Sequence, residues 1–269
     1  MLPAPPGGLD EGFEGFAFAQ LSPTRLVICG GCQQGWHGVN TCSSLNLEIK
    51  QWEALPPLQQ ARYGCKATVC NDGSLLVIGG FNGQEMASVE RLSPGPGQSF
   101  APAADLRNRR SYHGMCTLKD GRVFVCGGGG ALRSAELYDP TTNRWTGLPD
   151  MSTDRSDCMA CSLLNKEGKE FVLVFGGYCS SACEAYDVAL GRWSQLPDMP
   201  DERDNASLFV LSESKVLLVG GLGDHECLPT ALLFVFHAPQ ERMWRRVPAM
   251  DLPFGLVCYG SSKVTTTDF

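Results

Sequence analysis

The chain has no long hydrophobic run, no basic cluster and few charges. A stretch such as "ALLFVFHA" (231–238) is far too short to cross a bilayer as a helix, so no membrane partner is expected. Lys and Arg number 22 against 29 Asp and Glu, for a formal net charge of -7, and they are dispersed. Nucleic acid is therefore not an expected partner, because neutralising phosphates needs clustered cations. The four histidines, His37, His113, His225 and His237, are scattered. The start, "MLPAPPGGLDEGFEGF", lacks both a basic segment and an apolar one and does not read as a secretory signal. Glycine, proline and cysteine are plentiful instead, at 31, 17 and 13 residues. So much glycine and proline favours an all-β chain with many tight turns. Without a signal, the cysteines read as reduced thiols acting as small hydrophobes, and the expected location is cytoplasmic.

One pattern recurs. "RLVICGG" (25–31), "SLLVIGG" (74–80), "RVFVCGG" (122–128), "FVLVFGG" (171–177) and "KVLLVGG" (215–221) are apolar strands stopped by two glycines. After each comes a segment ending in an aromatic residue: Trp52, Phe100, Trp145, Trp193 and Trp244. A Leu or Met landmark follows, and four residues beyond it stand Arg62, Arg110, Arg155, Arg203 and Phe254. Counting back from the first Gly-Gly puts the matching position at Phe13. Motifs thus start at 13, 62, 110, 155 and 203, with an incomplete one at 254.

Repeats of about 50 residues carrying Gly-Gly and Trp resemble those of the kelch family. The resemblance implies a kelch-type β-propeller over residues 13–253, with five complete four-stranded blades. A ring of six blades with an incomplete last one is the alternative. Residues 1–12 read as a Pro/Gly-rich segment and 254–269 as an extra strand or tail. The strand "FEGFAFAQL" is expected inside blade one. The alternative has "FGLVCYG" (254–260) closing the ring.

Aligned in this way, Cys29 and Cys32 of "VICGGCQQGWHG" flank a di-glycine and read as a packing residue and a loop residue rather than a redox or zinc pair. Cys158 and Cys161 lie three apart in a strand and point to opposite faces. Cys179 and Cys183 bracket a loop. Cys65, His113 and Cys158 occupy equivalent positions and make a weak candidate zinc set. No cofactor is expected.

The kelch resemblance implies a protein-interaction scaffold or adaptor that is not an enzyme and takes a partner protein or peptide on one loop face. The candidate residues are Trp36, His37, Arg62, Tyr63, Asn82, Arg110, Tyr112, Arg133, Arg155, Asp157, Tyr178, Arg203, Asn205 and Asp224, with Gln33, Gln34, Phe81, Glu85, His225 and Glu226 beside them. The arginines suit an acidic peptide or, equally, a structural ion pair. Trp36, in a long polar loop, suits a binding hot spot or folds back on the propeller. Two alternatives are a substrate-recognition part of a ubiquitin ligase and a metal-dependent enzyme on the same scaffold; no catalytic set stands out for the latter.

Overall fold

A computed structural model of the chain describes residues 14–33, 36–224, 226–236 and 243–252. Phe13, Gln34, His225, His237, the segment 1–12 and the tail 254–269 lie outside it, and so does the question of which strand closes the ring. The described residues form five antiparallel four-stranded sheets, each following chain order. Blade one is Ala17–Ser22, Arg25–Cys29, Cys42–Asn46 and Gln51–Leu55. Blade two is Lys66–Val69, Leu75–Ile78, Val89–Leu92 and Ala101–Pro102. Blade three is Gly114–Thr117, Val123–Cys126, Ala135–Asp139 and Arg144–Leu148. Blade four is Met159–Leu164, Glu170–Gly177, Ser180–Asp187 and Arg192–Leu196. Blade five is Ser207–Ser212, Lys215–Val219, Ala231–Val235 and Trp244–Arg246. The molecule is a five-bladed β-propeller, and Ala17–Ser22 is the first strand of blade one.

The core lies between blades. Four buried clusters fill the seams one/two, two/three, three/four and four/five. The first and second glycines of the first four pairs serve these seams. The second donates its N–H to the carbonyl of the next blade's arginine, as Gly80 does to Arg110 O at 2.9 Å and Gly128 to Arg155 O at 2.8 Å. The first lies against that same carbonyl: a Cβ on Gly79 would stand 2.6 Å from Arg110 O. Only glycine admits so close a backbone approach at positive φ.

The tryptophans of blades three, four and five tie each of these blades backwards. The indole N–H of Trp145 donates to Ala104 O at 2.9 Å, that of Trp193 to Pro149 O at 2.8 Å, and that of Trp244 to Pro197 O at 2.9 Å. Each indole also faces a cross-strand aromatic: Tyr138 for Trp145, Tyr186 for Trp193 and Phe234 for Trp244.

The cysteines are mostly packing groups. Twelve are described; no disulfide joins them, and all but Cys179 and Cys227 are buried. Cys29 packs in the one/two seam. Cys32, expected in a loop, instead opens a short hairpin, Cys32–Gln33 with His37–Gly38, and is buried. Cys161 and Cys158 serve opposite seams. Cys179 and Cys183 do not bracket a loop: the strands continue to Gly177 and Ser180, leaving a two-residue turn of Tyr178 and Cys179. Cys183 sits in the second of those strands, fully buried.

Candidate partner-binding site

At the four motif starts that carry an arginine the chain makes the same three moves. The arginine turns inward. The next residue pairs with the residue that follows the Gly-Gly: Tyr63 with Phe81, Ser111 with Gly129, Asp204 with Leu222. In blade four, Tyr178 donates its N–H to Ser156 O at 2.9 Å. The third residue then adopts left-handed backbone and bonds the previous blade. Gly64 N–H donates to Gly15 O, Tyr112 to Gly64 O, Asp157 to Tyr112 O and Asn205 to Asp157 O, all between 2.7 and 3.1 Å. These five residues have φ between 47° and 67°. The ladder stitches the blades at one end of the axis.

Gly15 and Gly64 are what such a position favours, and a Cβ on Gly64 would stand 2.8 Å from the Tyr112 ring. Tyr112, Asp157 and Asn205 instead carry side chains there, at a conformational cost on the order of 1 kcal/mol each. Their side chains project into a concavity of about 460 Å³ at the Gly-Gly end. The walls are Trp36, Tyr63, Phe81, Tyr112 and Tyr178; Glu85, Asp157, Asp204 and Asn205 supply the polar groups. Tyr63 is central, with ring centroids 5.9 Å from Trp36, 5.4 Å from Phe81 and 6.3 Å from Tyr112. Trp36 reaches it because the hairpin turn places Trp36 in left-handed backbone.

The carboxylates are unevenly solvated. Burial raises the Asp157 carboxyl above its usual range, against the Asn205 hydrogen bond and the Lys66 charge. Burial and the adjacent Asp157 push Asp204 up to about 6. The Asn205 side-chain amide donates to both, at 3.0 Å to Asp157 and 3.1 Å to Asp204.

Of the fourteen candidates, six line the concavity: Trp36, Tyr63, Tyr112, Asp157, Tyr178 and Asn205. Four do not reach it. Arg62, Arg110, Arg155 and Arg203 are at most 1% exposed, so the acidic-peptide role expected of them is corrected. Arg62, Arg110 and Arg155 pair with buried Glu90, Glu136 and Glu184 at 2.7, 2.7 and 3.0 Å. Each also donates to the carbonyl of its own blade's first Gly-Gly glycine. Each glutamate further accepts two backbone N–H groups from the linker entering the blade, such as Arg107 and Asn108 at 2.7 and 3.0 Å on Glu136. Blade five has Leu232 at that register, and Arg203 pairs with Asp201 of its linker at 3.0 Å. The last four candidates, His37, Asn82, Arg133 and Asp224, are exposed outside the lining, and Arg133 pairs with Asp154. Glu226 is likewise exposed outside the lining.

The sequence reading missed Asp204, Ser111 and Ser156. Their signal was the register: each directly follows a motif-start arginine. It also missed the three glutamates, although "SVERL", "SAELY" and "CEAYD" repeat them in one register.

Cys65, His113 and Cys158 do not gather as a metal set; among the described residues no three His, Cys, Asp or Glu side chains do. The Cys65 and Cys158 thiols point at the carbonyls of Cys29 and Cys126, at 3.9 and 3.8 Å. Burial and the Arg110 and Lys66 charges push His113 well below its usual range, so the imidazole is neutral.

The Kelch motif family model matches residues 62–98 and 109–152, which take in the first three strands of blade two and all four of blade three. These two blades carry kelch motifs, and the chain is similar to kelch-repeat proteins. Among its kelch relatives, the kelch repeat-containing protein kel-10 of Caenorhabditis elegans is 25% identical over 172 residues, 58% of this chain and 28% of that protein. An F-box/kelch-repeat protein of Arabidopsis thaliana is 30% identical over 164 residues, 50% of this chain and 42% of that protein. A galactose oxidase of Gibberella zeae is 32% identical over 83 residues, 29% of this kelch chain and 12% of the oxidase. The matches thus span less than half the length of these relatives. Among the described residues no helix is long and apolar enough to cross a membrane.

Proposed function

We propose that this kelch propeller is a non-catalytic interaction module that holds a partner protein or peptide over the concavity at its Gly-Gly end. One observation carries the reading. Three successive blades keep Tyr112, Asp157 and Asn205 where the backbone favours glycine, and all three side chains line the same concavity. Strain retained at one place, and turned toward solvent, is a mark of function rather than of packing. Exposed aromatics support it: Trp36 and Tyr178, both in the lining, are 59% and 60% exposed, and such rings serve as anchors in interfaces. The same proposal places the chain in a reducing compartment, since no disulfide links its twelve described cysteines.

The test is affinity recovery of partners by the wild-type chain and by a Trp36→Ala/Tyr178→Ala variant, with partners counted by quantitative mass spectrometry. Proteins recovered by the first and lost from the second support the reading. Identical recovery with unchanged folding contradicts it.

A second reading is favoured by the names of several relatives, which join kelch repeats to an F-box or a BTB domain. In it, the propeller presents substrates to a ubiquitin ligase, and cullin-type ligase subunits accompany the partner in the same recovery. The likeness to galactose oxidase covers too little of that enzyme to support catalysis here.

A further inference from the structure

The lining of the concavity has one sign of charge. Among the described residues it holds the carboxylates of Glu85, Asp157 and Asp204 and no lysine or arginine. The arginines that would have made this end basic are turned inward and neutralised by their own glutamates and aspartate. The walls are electron-rich rings, clustered around Tyr63 at centroid spacings of 5.4–6.3 Å. Ring faces attract cations placed within about 6 Å of their centroids. Carboxylates beneath such rings complete a site for an organic cation.

We propose that the concavity takes a basic side chain of the partner, the ammonium of lysine or the guanidinium of arginine, between Trp36, Tyr63 and Tyr178 and over Asp157 and Asp204. The proposal rests on the interaction-module reading and names the chemistry of its partner. Two further features fit it. The Asn205 amide already donates to one oxygen of each aspartate, which fixes both carboxylates toward one point. The two acids also repel one another: the Asp157 charge raises Asp204, and both are raised by burial. A cation at that point relieves both effects. The Lys66 charge favours ionised Asp157, and Lys66 lies outside the lining. An acidic peptide, by contrast, meets three carboxylates and no counter-charge.

The experiment offers the full chain short fluorescent peptides of random sequence around one fixed residue: Arg, Lys, trimethyl-Lys, Glu or Leu. Binding is read by anisotropy. The Arg or Lys pools are expected to bind at least about tenfold more tightly than the Glu and Leu pools. The trimethyl-Lys pool separates a site set by rings, which keeps it, from one set by hydrogen bonds to the acids, which rejects it; either result leaves a cation site. Asp157→Gly and Trp36→Ala should each weaken the preferred pool by about tenfold, while Glu167→Gln, in a turn at the far end, should leave it unchanged. Asp157→Gly suits the left-handed backbone, so a loss there is not a loss of folding. If the Glu or Leu pool binds best and Asp157→Gly alters it, the cation assignment fails while the interaction site stands. If no pool is preferred and no variant matters, both fail.

Discussion

Asp157, Asp204 and Asn205 show how one residue's environment is set by the backbone around it. Asp157 occupies left-handed backbone at φ 58°, which glycine adopts without strain. Asp157→Gly gives up the Asn205 hydrogen bond and relieves the backbone. Its stability should stay within about 1 kcal/mol of wild type by urea unfolding. Asp157→Val, β-branched at the same φ, should cost about 1–3 kcal/mol. Asp204 gives a pH test. With its carboxyl raised to about 6, it keeps a proton in the folded chain at pH values where the unfolded chain has released one. The raised acid therefore lowers stability as pH rises from about 4 to about 6, and the loss persists above that. Asp204→Asn should raise stability at pH 7 by about 1–2 kcal/mol and change it little at pH 4, as measured by unfolding at the two pH values. The sequence named Asp157 and Asn205 as candidates but not Asp204. A left-handed bend is invisible in residue names, so nothing in "ERDN" distinguishes the residue that pairs across the sheet from the one that turns into the cavity.

At the scale of strands and linkers, the arginine–glutamate pairs clamp blades two, three and four to the linkers that enter them. Glu136 binds Arg110 and two linker N–H groups while fully buried. Glu136→Ala leaves a buried guanidinium and two amides without their acceptor, and should destabilise the fold by about 3–5 kcal/mol. Glu53→Ala removes a surface pair with Arg25, whose side chains are 35% and 46% exposed, and should cost less than about 1 kcal/mol. Thermal unfolding of the two variants side by side checks the contrast. This level was the most legible in the sequence. Gly-Gly endings gave the strands, and the Trp spacing gave the blades, because backbone approach and indole packing admit few substitutes. Arginine at each motif start was also plain, but its direction was not. A buried arginine and a ligand-binding arginine look alike until the partner glutamate, some 26–29 residues away, is seen to be in reach. Cys32 was likewise unreadable: a cysteine after Gly-Gly suits a loop, and it is the pairing with Gly38 on one side and Glu14 on the other that buries it.

At the scale of the molecule, five similar blades make two dissimilar ends. The far end carries the turns near Asp72, Asp120 and Asp139, where Arg91 and Arg122 are paired with Asp72 and Asp120. The Gly-Gly end carries an aromatic, acidic concavity assembled from all five blades. Its floor comes from the interblade ladder, so the same bonds that hold the blades together aim the side chains. A photo-crosslinking amino acid placed at Tyr178, on the concavity rim, and in a second protein at Asp120, on the far end, tests the central claim most directly. In the presence of recovered partners, crosslinks should form from position 178 and fall away in the Trp36→Ala/Asp157→Gly background, with few from position 120. Equal crosslinking from both ends, or more from position 120, would contradict it.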